Sequence, residues 1–216
     1  MTRRLLRWEQ VSAIAGVCGA IALAVGYVVV RTTKAPLAGS DAEYARVLLT
    51  ERAKWEWVTL LRLVGGTLVV WFAALLGDRL QPADGQATRL AETAFGLSVV
   101  WAGVWLLSAF FNSASIVLAA DYGDPAGARI AGVLAAEIPS VLTAGVVFTL
   151  LLATWLATIR SPEFPTSYPY ATGALAALIL VLALIDWYGP GTLGWLIVAL
   201  ALTWMAATSI VLFRRA

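Results

Sequence analysis

Six stretches of this chain are each long and apolar enough to cross a bilayer: 11–30, 55–77, 93–119, 130–159, 171–187 and 192–213. A hydrocarbon core about 30 Å thick takes about 20 helical residues to span. Backbone groups that face lipid find no water to bond, so each crossing has to be α-helical, and the strand-like alternation of a membrane barrel is absent from the sequence. The expected fold class is all-α: a polytopic membrane protein built as a six-transmembrane-helix bundle. With 61% hydrophobic and 13% charged residues, the chain lies far from soluble domains at about 45–50% and about 25%. Six crossings and their connections use nearly all of the 216 residues, so 1–216 reads as a single integral membrane domain whose first partner is the lipid bilayer.

The connections carry local signals. Ser40-Asp41-Ala42-Glu43 has the form of a capping box, and neither proline nor glycine follows before Gly65. An amphipathic helix is expected from Asp41, with Glu43, Arg46, Glu51, Arg52 and Lys54 set among Tyr44, Val47, Leu48 and Leu49, running unbroken into the second crossing. Asp121 and Asp124, with Pro125 behind them, suit the cap and first position of the fourth crossing. Ser161-Pro162-Glu163-Phe164-Pro165 with Pro169 forbids one continuous helix there, and Gly189-Pro190-Gly191 predicts a tight reversal between the last two crossings.

The basic start, Met1 to Arg7, looks like the opening of a secretory signal. The apolar block behind it, Val11 to Val30, exceeds the roughly 7–15 residues of a cleaved core, so a retained helix is expected. Arginine and lysine near the crossings number eight on the side of Arg3, Arg4, Arg7, Arg79, Arg89, Arg160, Arg214 and Arg215. Six lie on the side of Arg31, Lys34, Arg46, Arg52, Lys54 and Arg129. This bias points to both termini in the cytoplasm. Thirteen arginines against two lysines, with abundant Ala, Gly, Val and Leu, suggest a bacterial origin and hence a bacterial cytoplasmic membrane.

The chain has no histidine and one cysteine, Cys18, which removes histidine-ligated haem, histidine-based zinc sites and serine–histidine hydrolysis. Both lysines lie in or near the first connection, where neither can anchor an intramembrane Schiff base, and no phosphate-cradling glycine loop ending in Lys-Ser or Lys-Thr occurs. No cofactor, no metal and no catalytic residue is expected, and a net charge of +2 without a basic run points away from nucleic acid. Cys18 reads as a small buried filler.

An ionisable group inside hydrocarbon needs a partner or a reason. Arg62, Asn112 and Glu137 each lie seven residues from the same end of their crossings, and so at similar depth, with Ser108, Ser115, Ser140 and Thr143 extending a polar lining. They form the candidate ligand-binding or buried polar cluster, in which Arg62 and Glu137 are expected to face each other near Asn112. The bland alternative is that Arg62 snorkels to the interface and Glu137 marks the interfacial start of the fourth crossing, where Pro139 kinks or begins the helix. Gly16, Ala20 and Ala24 form a small-residue face suited to helix packing or to a partner subunit. Trp8, Trp55, Trp57 and Trp187 fit interfacial belts, whereas Trp101 and Trp105, four apart, share a deeper helix face. Asp186, beside Trp187, reads as an interface residue.

Ala13-Ile14-Ala15-Gly16 opening the first crossing, the capped helix after it, and the Ser161-Pro162…Pro165 break together resemble a group of uncharacterised six-helix bacterial integral membrane proteins. The resemblance implies an architecture and transfers no functional residue. Two functions remain open from the sequence. The first is a non-catalytic interaction or accessory subunit, docking another membrane protein or a second copy through the Gly16 face or the helix from Asp41. The alternative is a small transporter or substrate-binding membrane subunit using the Arg62, Asn112 and Glu137 region.

Overall fold

The computed structural model describes residues 8–32, 39–81, 85–159, 164–188 and 193–214. Among these, seven helices follow one another: α1 (Trp8–Thr32), α2 (Asp41–Thr50), α3 (Arg52–Leu80), α4 (Gly85–Ala120), α5 (Pro125–Thr158), α6 (Ser167–Tyr188) and α7 (Gly194–Phe213). All but α2 are long and apolar enough to span a membrane. The chain is an all-helical multi-pass bundle whose six crossings contain the six sequence blocks to within two residues.

Around the bundle, α1, α3, α4, α5 and α7 pack in a closed ring, with α7 returning to α1 and α6 lying outside against α5 and α7. In lipid no hydrophobic force drives helix against helix, so close backbone approach and polar contacts decide the packing. Gly65 and Gly66 supply the approach on both sides of α3. A Cβ on Gly65 would press on Leu23 of α1, and one on Gly66 would lie 3.3 Å from the Ala102 carbonyl of α4. The α4 helix is the spine: Ser98, Trp101, Trp105, Ser108, Asn112 and Ser115, spaced alternately by three and four residues, are all buried, which is the seam of a left-handed helix packing. The opposite pattern marks lipid. On α1, Val11, Ile14, Cys18, Ile21, Val25 and Val28 recur at the same spacing and are all exposed. Cys18 is therefore a lipid-facing residue and not a buried filler, because it falls on the outer stripe of its helix.

Local signals explain the short elements. Ser40 caps α2, its hydroxyl accepting from the Glu43 N–H at 3.2 Å. Asp124 caps α5 in the same way through the Gly127 N–H at 3.0 Å, with Pro125 opening the helix and Gly123 turning the chain at φ +60°. The expected unbroken passage from α2 into the second crossing does not occur. Glu51, at φ −106° and ψ 25°, separates α2 from α3. The break follows from packing. Tyr44 and Leu48 bury themselves against Ile116 and Ala119 of α4 and Ala128 of α5, and Arg129 of α5 holds Asp41 at 2.8 Å. These contacts hold α2 against α4 and α5, and the helix is interrupted at Glu51 before α3 begins. The Gly189-Pro190-Gly191 reversal, Ser161-Pro162-Glu163 and the basic start Met1 to Arg7 lie outside the described residues. Across the reversal, the Asp186 carboxylate accepts from the Leu193 N–H at 2.6 Å, tying the end of α6 to the start of α7.

Candidate functional site

Proline in a helix has no N–H to give the carbonyl four residues earlier. Pro139 sits inside α5, so the carbonyl it leaves free is that of Ala135. Two buried side chains take it: the Ser108 hydroxyl of α4 donates at 2.6 Å and Arg62 Nη1 of α3 donates at 3.2 Å. One proline on α5 thereby creates the acceptor that draws α3 and α4 together. Pro139 neither starts the helix nor interrupts it, since α5 begins at Pro125.

Arg62 is 1% exposed, which excludes snorkelling. At about 1.5 Å per residue it lies about 15 Å along α3 from Arg52, within the apolar span. Its Nε and Nη2 have no hydrogen-bond partner among the described residues. Glu137 does not supply one. The structure leaves Glu137 exposed, and none of the ion pairs among the described residues joins it to Arg62. The reason is angular. Glu137 follows Ala135 by two residues, about 200° around a helix with 3.6 residues per turn, and Ala135 faces inward at 2% exposure. On α1, the Tyr27 ring packs edge-on against Trp105 at 6.3 Å, and its neighbour Gly26 lies against the stem of Arg62.

Asn112 is 4% exposed, and its amide nitrogen is engaged on α3. Its Nδ2 donates to the Trp55 carbonyl at 3.0 Å and to the Thr59 hydroxyl at 2.7 Å. One turn further, Ser115 donates to the Ala128 carbonyl of α5 at 2.6 Å and shares a 3.3 Å hydrogen bond with the Tyr44 hydroxyl. Burial pushes the Tyr44 phenol above its ordinary value, partly offset by the Ser115 bond. Tyr44 reaches this position because α5 carries Gly132 there; a Cβ would collide with the phenol. Ser108, Asn112 and Ser115 thus form a ladder on the α4 seam that stitches α3, α5 and α2. Of the proposed lining on α5, Ser140 bonds back to the Ala136 carbonyl at 3.3 Å, while Thr143 is fully buried with an unmatched hydroxyl.

The small-residue face is divided: Gly16 is packed within the chain, whereas Ala20 and Ala24 border a groove. A Cβ on Gly16 would run into Ser209 of α7 and Phe72 of α3. Ala20 and Ala24 line a groove of about 270 Å³ between α1 and α7, together with Tyr27, Val198, Leu202 and Ala206. Asp186 serves the α6–α7 connection.

Among the described residues, most of the buried polar atoms that lack a partner are obligate donors. The unmatched atoms are Arg62 Nε and Nη2, the indole nitrogens of Trp55, Trp101, Trp105 and Trp204, and the hydroxyls of Ser12, Thr143 and Thr154. Guanidinium and indole N–H groups only donate, and a hydroxyl does either. What the interior lacks is acceptors. Sequence reasoning found Arg62 and Asn112 but missed the Ala135 carbonyl, Tyr27 and the Tyr44–Gly132 fit. The first was available as the residue four before Pro139, whereas the other two depend on helices remote in sequence. Compared with family models, curated proteins and solved structures, the chain matches none.

Proposed function

We propose that this chain is a membrane-embedded binding protein for an anionic solute, acting without catalysis as a small transporter or as the substrate-binding subunit of one, in a bacterial cytoplasmic membrane with both termini in the cytoplasm. The observation that carries this reading is the Arg62 guanidinium, 1% exposed, with two nitrogens unmatched and no carboxylate paired to it among the described residues. A buried charge left without a partner is strongly destabilising. A chain that keeps one inside a bundle gains from it only when something negative arrives. The accessory-subunit reading has less support, since Gly16 packs on α3 and α7, and α2 packs on α4 and α5, while Ala20 and Ala24 line a groove.

The test compares thermal unfolding and tryptophan fluorescence of the wild type and Arg62→Leu, reconstituted in neutral lipid, with and without monovalent carboxylates from acetate to dodecanoate. Replacing even a buried ion pair by hydrophobic side chains of similar volume is often neutral or stabilising by about 1–4 kcal/mol, and Arg62 has no carboxylate partner among the described residues to offset its burial. The expected result is a variant at least as stable as wild type that no longer responds to any anion. A destabilised Arg62→Leu, with a wild-type protein that responds to none of these anions, would assign Arg62 to structure and overturn the proposal.

A further inference from the structure

We propose that the ligand is a long-chain monocarboxylate that enters from the bilayer between α1 and α7 and pairs side-on with Arg62; this rests on the anion-site reading and specifies its occupant. The guanidinium gives the geometry. Nη1 is held by the Ala135 carbonyl, and the two unmatched nitrogens, Nε and Nη2, form the side edge whose parallel N–H bonds fit the two oxygens of a carboxylate. Charge gives the valence. Arg62 is the one charged side chain buried among the described residues, so a monoanion neutralises it, whereas a dianion leaves a buried surplus.

The groove gives the tail. At about 270 Å³ it lies near the lower limit, about 300 Å³, of small-molecule sites. Its walls are Ala20 and Ala24 of α1 facing Val198, Leu202 and Ala206 of α7, without a charged side chain. It opens on the outer stripe of α1, where Ile21 and Val28 are each 57% exposed, so its mouth faces acyl chains and not water. Tyr27 lines the groove and packs on Trp105. The next residue back, Gly26, leaves the stem of Arg62 within van der Waals reach, 3.9 Å from the place a Cβ would occupy. Tyr27 and Gly26, neighbours on α1, thus bring an apolar slot open to lipid close to the residue that carries the unmatched cation. A molecule with a hydrocarbon tail and a single carboxylate head satisfies both ends.

The experiment titrates the full-length protein in bilayer discs of neutral phosphatidylcholine, following tryptophan fluorescence, with dodecanoate, dodecanol, acetate and inorganic phosphate. Dodecanoate is expected to bind at least about tenfold more tightly than either dodecanol, which keeps the chain and loses the charge, or acetate, which does the reverse; phosphate is expected to give no signal. Arg62→Lys, which keeps the charge but loses the paired edge, is expected to weaken dodecanoate about tenfold. Ala199→Phe, at an exposed position of the groove wall, is expected to weaken dodecanoate and leave acetate unchanged. Equal affinity for dodecanol, or an Arg62→Lys protein that binds like wild type, overturns the pairing. Acetate binding as tightly as dodecanoate overturns the lateral entry while the anion site stands. Silence with every carboxylate removes the anion site as well.

Discussion

Asn112 of α4 and Arg62 of α3 are both almost wholly buried, and the protein treats them in opposite ways. Asn112 has both donor contacts answered within the chain, and the rungs beside it at Ser115 and Tyr44 are answered too. Arg62 has one bond, to a carbonyl released by Pro139, and two nitrogens with none. The Asn112 region closes the α2 end of the bundle by pairing Asn112, Ser115 and Tyr44, with only the Trp55 indole beside them unmatched among the described residues. The Arg62 region stores an unmet demand for an acceptor. Buried polarity alone does not identify a site; the matching of donors to acceptors separates a polar group that holds the fold from one that awaits a ligand.

The comparison breaks most readily at Gly132. Gly132→Ala places a Cβ where the Tyr44 hydroxyl lies, forcing the ring out and undocking Tyr44 and Leu48. Loss of a buried aromatic anchor costs about 3–5 kcal/mol. We expect proteolysis between α2 and α3 to accelerate strongly, while the Arg62 region keeps its response to anions. An anion response that disappears together with α2 docking would show the two regions to be one unit.

A sharper form of the comparison sets Asn112→Leu beside Arg62→Leu. Removing Asn112 deletes two interhelical bonds worth about 0.6 kcal/mol each on average in a membrane, so stability is expected to fall by about 1 kcal/mol in mild-detergent unfolding. Removing Arg62 is expected to leave stability unchanged or raise it. Equal losses for both would place Arg62 in the same structural class as Asn112.

The division of labour between sequence and structure follows the same line. Periodicity and length gave the crossings because a lipid solvent leaves helices as the only option, and the caps at Ser40 and Asp124 were local enough to read directly. Depth was legible for Arg62 and Glu137, since it follows from counting along alternating helices. Rotation was not. A 200° turn between Ala135 and Glu137 decided which of them meets Arg62, and that depends on which face of α5 the whole bundle buries. The break at Glu51 was hidden for a related reason: nothing near it in sequence opposes a helix, and the forces that bend the chain come from Ser115, Ala128 and Arg129, more than sixty residues away.

Smaller effects concern how α2 is held. The Arg129–Asp41 pair is a third to half exposed, so its removal by Asp41→Asn is expected to cost no more than about 1 kcal/mol and to lose its effect in high salt. The Tyr44 phenol is subtler. Its hydroxyl is buried against Ser115, and burial holds its proton more tightly in the docked helix than in a released one, whose phenol titrates near 10.0. Below that pH neither form loses the proton and docking is at full strength. Above it the released helix ionises first, so the equilibrium shifts toward release until the docked phenol ionises as well. Amide exchange along α2, taken relative to its intrinsic rate at each pH, is expected to stay flat to about pH 10 and then rise. Tyr44→Phe is expected to exchange slightly faster at neutral pH, having lost a bond worth about 1 kcal/mol, and to show no additional rise in that alkaline window beyond intrinsic exchange. If the rise persists in Tyr44→Phe, the group that releases α2 in alkali is not the Tyr44 phenol, and its place at the Ser115 rung would be one of packing alone.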